Sequence, residues 1–370
     1  MSGQLSQVRR PRPVLRIGGV PVQPISIAVE NRAHFTADTW RAELEPWQQP
    51  QGYGLRYWAD APAGLRVELL VGLLQPTDSV AAQPSSLTSL LVGQVDDIEI
   101  DPIGGTLSLS GRDLTAVLID TKTSNKWPDH VASWIVTQLA IQAGLTPQVT
   151  ATTAPVGPYY RDAYVSLAKE VPMWDLITFL AQQEGFDTYV TGTTLYFGPP
   201  QADSDPRPWT ISVQRAQGGI TSNALSLKLR RSLTLAGDMS VTVLSHSSQT
   251  GRTVKVTAAR AGKKAPQSSA SRGAERTQNY TIRRPGLTQE QAQQLATATL
   301  ADLSKFERTL DVTMQGDPSV SVRRAARLIG TGTSFDARYY LSEVNHTIDA
   351  TGYAMTAHLK NHPTAGEAAL

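Results

Sequence analysis

The sequence predicts a mainly β protein of the α+β class, with two β-barrel-like units flanking a small α/β unit. Three observations carry this reading. Period-two alternation of apolar and polar residues recurs in the first third and the last part of the chain. Helical periodicity is confined to the middle and to one late segment. With 28 glycines and 23 prolines in 370 residues, turn signals come too often in the outer stretches for long helices.

Residues 1–118 read as the first β unit. A strand begins at 67–71, after the turn residues Ala-Pro-Ala-Gly at 61–64. A second follows at 92–100, and Asp101, Pro102, Ile103, Gly104 and Gly105 make a turn. Beyond it Leu107 and Leu109 alternate with Ser108 and Ser110, as in a half-buried strand.

Residues 119–200 change period. A helix is predicted over 129–143, carrying Val131, Trp134, Ile135 and Leu139 on one side, and Gly144 is placed to stop it. Pro172 suits the first turn of a second helix, where its missing N–H costs nothing. Met173, Leu176, Ile177 and Leu180 form that helix's apolar stripe, and Gly185 ends it. Thr191, Gly192 and Thr193 then turn a hairpin.

Residues 201–208 read as a linker to a second β unit at 209–365. Leu225, Leu227 and Leu229 alternate with Ser226, Lys228 and Arg230, and Met239, Val241 and Val243 alternate with Ser240 and Thr242. Residues 257–279 hold few large apolar side chains and read as a long mobile loop. A helix over 288–306 follows, with a capping box of Thr288 and Gln291 and a staple from Leu287 to Ala292. Its expected buried stripe is Leu295, Thr299, Leu303 and Phe306. Strands return at 310–314, 327–329, 339–344 and 353–359. The β–(α/β)–β order suggests that the outer units are structural cousins.

Composition limits the chemistry. The formal net charge is +2, from 34 basic and 32 acidic residues, which makes no whole-chain case for nucleic acid or an anionic membrane. There is no cysteine, so disulfides, cysteine zinc sites, iron–sulfur clusters and thiol nucleophiles are excluded. No apolar run is long enough for a membrane-spanning helix. The basic N-terminal residues are followed by no apolar core, so no secretory signal is expected.

Motifs for catalysis are not evident, and no catalytic, cofactor or metal residue is expected. His34, His130, His246, His346, His358 and His362 are scattered without metal-ligand spacing; His346 and His358 could approach one another in a hairpin. The sequence has no G-x-S-x-G elbow. Gly330, Thr331, Gly332 and Thr333 lack the lysine and following helix of a phosphate loop, and read as a turn. Asp96, Asp97, Glu99 and Asp101 form an acidic cluster. A glycoside hydrolase needs two carboxyls about 5–10 Å apart across a cleft. Strand neighbours point to opposite faces, so Asp96 and Asp97 read instead as part of a contact surface.

Arg260, Lys263, Lys264, Arg272 and Arg276 lie in the basic loop. They could meet phosphates, but no aromatics are interleaved for stacking on bases; a flexible contact loop is the simpler reading. Of the seven tryptophans, Trp134 and Trp174 are assigned to the core. Trp127 and Trp209, at unit junctions, are the candidates for inter-unit or inter-subunit packing.

The stretches at 110–145 and 160–200 resemble successive blocks of the phage baseplate hub family, also called late control protein D, which is related to the hub part of type VI secretion spike proteins. The second block contains the phrase Leu180-Ala181-Gln182-Gln183-Glu184-Gly185-Phe186 followed by Leu195-Tyr196-Phe197. The run from Tyr339 to His346 is similar to the family's closing hairpin. The resemblance covers most of 110–360 in order, and the first hundred residues only in strand-rich character.

It implies two tail-tube-like barrels per chain and a homotrimeric ring of pseudo-sixfold symmetry. Such a ring joins the tail tube to a spike. Implied partners are the tail tube protein, a separate spike protein, and tape measure and baseplate wedge proteins. Nucleic acid enters only as cargo in the channel, and no membrane partner is implied. Because the chain ends soon after the second β unit, without a lysozyme-like insert or spike tail, the spike is expected to be a separate polypeptide. The implied location is the virion's tail baseplate, assembled in the bacterial host cytoplasm. The competing readings are a tail-associated peptidoglycan hydrolase and a nucleic-acid-binding module acting through the basic loop.

Overall fold

The computed structural model describes residues 10–33, 35–74, 87–125, 127, 130–153, 156, 170–216, 218–246, 253–260 and 278–361. The first unit contains β1 (Arg10–Ile17), β2 (Val20–Val22), β3 (Pro24–Arg32), β4 (Thr39–Leu44), a short α1 (Leu55–Ala59), β5 (Arg66–Leu74), β6 (Leu87–Asp101) and β7 (Thr106–Asp113). Its strands pair antiparallel in the order β2-β1-β5-β6-β7-β4-β3. The alternation buries Ile27, Val29, Leu107 and Leu109 around Trp40 and Trp58.

The middle unit contains α2 (Thr115–Asp120), β8 (Lys122–Thr123), α3 (Ala132–Gln142), β9 (Thr146–Val149), β10 (Val171–Pro172), α4 (Met173–Glu184), β11 (Asp187–Thr191) and β12 (Thr194–Gly198). Leu114 and Leu118 pack into its core, so the boundary expected at 118 falls instead before α2. The stripe Met173, Leu176, Ile177 and Leu180 is buried. Gly185 ends α4 with φ of 69°, a conformation cheap only for glycine. The hairpin β11–β12 gains a third, parallel strand in β9, which the sequence did not announce because Pro147 argues against a strand.

The remaining chain begins with β13 (Trp209–Ala216), β14 (Gly219–Ser222) and β15 (Ser226–Arg231). An inserted unit follows: β16 (Met239–His246), β17 (Thr253–Arg260), β18 (Gln278–Arg283) and α5 (Gln289–Ser304). The chain then returns through β19 (Arg308–Gln315), β20 (Ala325–Ile329), β21 (Arg338–Asp349) and β22 (Gly352–Asn361). The second sheet runs β15-β19-β22-β21-β20-β13-β14.

The inserted unit corrects the single second barrel expected at 209–365. Met239, Val241 and Val243 face α5 in a separate core, not the second sheet's core. The expected loop 257–279 is also shorter: Thr257–Arg260 completes β17, Gln278 begins β18, and 261–277 lies outside the described residues. The capping box is present in both directions. The buried stripe of α5 is Ala292, Ala296, Leu300 and Ser304, turned from the expected one. Small side chains let the helix lie close on the sheet; Leu295 and Leu303 flank the contact, and Phe306 is exposed. The 201–208 linker is fastened rather than loose. Arg338 donates to the carbonyls of Ala202 and Asp205, and Ala325 N–H donates to the Asp205 carboxylate.

The two outer units share one 14-stranded sheet. One edge of β21 pairs with β20 near its start and with β3 over its later half. Among the described residues no ladder closes either unit into a barrel. The strand order nevertheless repeats: β3-β4-β7-β6-β5 in the first unit matches β15-β19-β22-β21-β20 in the second. Even a bulge recurs. The register shifts between Val95 and Asp97 in β6, and between Leu341 and Glu343 in the matching β21.

Candidate assembly surfaces

The shared sheet buries one face and leaves the other polar. Rows of cross-strand partners define that second face. One row runs Lys228, Asp311, His358 and Glu343 across the second unit. Another runs Ala28, Arg41, Ser110 and Asp97 across the first. Between them lie Glu30 and Asn345, paired across the β3–β21 join. No large apolar side chain stands in these rows. Charges of both signs are interleaved, and some side chains pair locally. Arg112 binds Asp96 at 2.6 Å and Asp120 at 3.0 Å, and His358 lies 2.5 Å from Asp311. The face is concave at the join, where a groove of about 670 Å³ is lined by Glu30, Arg41, Asp97, Ser110 and Asn345. Asp96 lines it too. The bulge beside it breaks the alternation that was expected to turn Asp96 and Asp97 to opposite faces.

The second surface is an internal junction of all three main units. The β3–β4 loop carries Phe35 at a positive φ of 62°, strained for a bulky residue. Its carbonyl accepts the indole N–H of Trp174 at 2.7 Å, and its ring packs against the middle core. Arg323, from the loop before β20, lies over the Tyr189 ring at 4.1 Å and pairs with Asp38 at 3.4 Å. Asp38 also accepts from Arg32 N–H and the Asn31 amide, and its own carbonyl accepts Asp113 N–H. Among the described residues Asp113 accepts only from Thr115, through its N–H and hydroxyl. Burial, and next the charge of Asp38, push Asp113 up to about 8; burial also raises Asp38, against the pull of Arg323. The Asp38 carboxylate and the Arg323 guanidinium therefore tie the first unit to the second, and burial beside Asp38 favours the neutral form of Asp113.

The sequence-selected residues are distributed differently from expectation. Trp174 is core, but Trp134 is 40% exposed and stacks on His130 at 3.9 Å, so the core assignment of Trp134 is corrected. Trp209 is 8% exposed and sits in the second sheet's core, and Trp127 is half-buried against the middle core. Arg260 is no loop residue: it ends β17 and pairs with Glu307 at 3.1 Å. Lys263, Lys264, Arg272 and Arg276 lie outside the described residues, as do His34 and His362. His346 and His358 are on opposite faces. His346 is buried between Tyr353 and the Val320 carbonyl, and burial lowers it to about 4; His358 is exposed. Residues 330–333 form the expected turn, closed by the Asp336 carboxylate accepting from Thr331 and Gly332 N–H. Leu225 and Leu229, expected on a buried face, are 76% and 39% exposed because β15 is an edge strand.

Sequence reasoning missed Asp38, Asp113, Arg323 and Glu307, which are single charged residues in loops or at strand ends. Among the described residues no group of three or more His, Asp or Glu side chains is placed to hold a metal ion. No helix there is long and apolar enough to cross a membrane.

This architecture is that of phage tail proteins. The tail protein from Neisseria meningitidis MC58 aligns with a TM-score of 0.66 at 16% identity, covering 97% of this chain and 99% of that one. The 43 kDa tail protein of prophage MuSo2 from Shewanella oneidensis aligns with a TM-score of 0.63 at 14% identity, covering 95% and 98%. An E. coli component of the type VI secretion system, itself structurally similar to the T4 tail proteins gp27 and gp5, aligns with a TM-score of 0.52 at 8% identity, covering 94% and 77%. A family model described as the Alg8 N-terminal domain matches residues 91–350, and the chain belongs to that family. The match runs from β6 through β21, across the middle and inserted units, and its description names no activity. It is not the hub family that the sequence resembles. No curated protein matches the chain.

Proposed function

We propose that this protein is a structural, non-enzymatic baseplate hub of a phage tail or a related contractile injection particle. Three copies form a ring that joins the tail tube to a central spike. The observation that carries this reading is the polar face shared by two outer units with one repeated strand order. Two equivalent units per chain turn threefold into sixfold symmetry, which is what an adaptor between tube and spike requires. A wall of hydroxyls, amides and balanced charge suits a wet channel. It offers passing nucleic acid no continuous cationic track on which to stick. The likeness to tail proteins at the level of fold supports the same reading. Tape measure and baseplate wedge proteins are the further partners, and the virion's tail baseplate is the site of action after assembly in the host cytoplasm.

Light scattering on the purified chain is expected to give three times its 39.9 kDa mass, with threefold views in negative-stain images. A chain that stays monomeric at micromolar concentration, alone and with tube and spike proteins, would sink the proposal. A peptidoglycan zymogram is expected to stay uncleared; clearing would favour the hydrolase instead.

A further inference from the structure

The polar face ends in two open strand edges of opposite character. Among the described residues, β15 pairs only with β19, and residues 97–101 of β6 pair only with β7. Neither stretch contains proline, so both can extend a ladder. The β15 edge is cationic and apolar, with Lys228 and Arg230 on the polar face and exposed Leu225 and Leu229 on the other. The β6 edge is acidic, with Asp97, Glu99 and Asp101 exposed and Ile98 and Ile100 half-buried on the other side.

The internal repeat supplies a register. In the second unit the matching half of β21 is not open: β3 covers it, antiparallel, with Asn345 opposite Glu30, His346 opposite Val29 and Thr347 opposite Ala28. The matching bulges carry Glu343 onto Asp97, and so Asn345, His346 and Thr347 onto Glu99, Ile100 and Asp101. The row of Lys228, Asp311 and His358 matches the row of Ala28, Arg41 and Ser110, which carries Glu30, Val29 and Ala28 onto Arg230, Leu229 and Lys228.

We propose that β15 of one copy adds antiparallel to residues 97–101 of β6 in the next copy, repeating between chains the β3–β21 join made within each. This rests on the self-assembly proposed above and names its surfaces. Superposing the repeats sets Glu99 opposite Arg230, Asp101 opposite Lys228 and Ile100 opposite Leu229. Charges of opposite sign then meet on the polar face and apolar side chains on the buried one. The contact is head-to-tail, the kind that builds a ring when its rotation closes, and it leaves no open edge at either site. Val29, at the place of Leu229, shows what such cover does: it is 1% exposed.

Cysteine pairing tests this on the full chain without background, because the protein has no cysteine. Directly opposite strand residues lie within reach of a disulfide. Ile100→Cys and Leu229→Cys chains, mixed under oxidising glutathione, are expected to give linked dimers that neither gives alone. Glu99→Arg or Arg230→Glu alone should weaken self-association at least ~10-fold, and the two together in one chain should restore it. Restoration also shows that the singles fold. Oligomers that form without the cross-link, and without rescue in the double variant, would overturn the edge assignment and leave self-assembly standing. A chain monomeric throughout would overturn both.

Discussion

Replacing Glu307 by alanine is expected to destabilise the second sheet and its inserted unit by about 3–5 kcal/mol, the usual cost of stripping one partner from a buried ion pair. Glu307 is buried where the chain re-enters the second sheet before β19. Its carboxylate meets Arg260 at 3.1 Å, Arg231 at 3.4 Å and Arg308 at 3.9 Å, and its carbonyl accepts Ser232 N–H where the chain leaves β15. Both chain crossings and the end of β17 are thus tied to one residue. Alanine would leave Arg308 buried and Arg260 half-buried, with only the carbonyls of Leu235 and Ser334 as described partners. Arg231 is a third exposed and contributes little. Denaturant melts should show the loss, and hydrogen exchange should show residues 232–305 opening first. Glu307→Gln keeps the shape and should fall between. A loss below about 1 kcal/mol for alanine would mean that the arginines are satisfied elsewhere.

Much of the fold was legible because its signals are local. Gly144 and Gly185 ended helices where expected, Thr288 and Gln291 formed their box, and Leu107 and Leu109 turned inward from a strand. What failed depended on partners distant in sequence. Alternation in Met239, Val241 and Val243 shows a strand with one buried face, but not that the cover is α5 rather than another strand of the second sheet. Leu225 and Leu229 alternate as convincingly as Leu107 and Leu109, yet only a neighbouring strand decides whether such a face is covered. The bulge at Asp96 defeats alternation itself. The join of β3 to β21 brings together residues some three hundred apart and has no local signature, yet it makes one polar face out of two units. The junction carboxyls were illegible for the same reason: Asp113 is an ordinary strand-end aspartate until Asp38 and Arg323 arrive.

Asp113→Asn is expected to stabilise the protein, and the gain should grow with pH. The folded-state value of Asp113, about 8, lies above its ordinary 3.8, so between these limits the unfolded chain gives up a proton that the folded chain keeps. Stability from this group is complete below about 4 and is lost progressively as pH rises toward 8. Each tenfold displacement of a proton equilibrium is worth about 1.4 kcal/mol, so at neutral pH the carboxyl costs on the order of a few kcal/mol. Asparagine keeps the acceptor for Thr115 N–H, and the Thr115 hydroxyl can turn from donor to acceptor. It brings no charge beside Asp38. The melting temperatures of wild type and variant should therefore coincide in mild acid and diverge toward pH 8, with the variant higher. Arg323→Ala should act in the opposite direction, leaving Asp38 unpaired and removing the cation over Tyr189. A pH-independent difference between Asp113→Asn and wild type would show that Asp113 is ionised in the folded protein, with Arg323 serving both carboxylates. In that case the junction would be held by charge pairing and not by one neutral and one charged carboxyl.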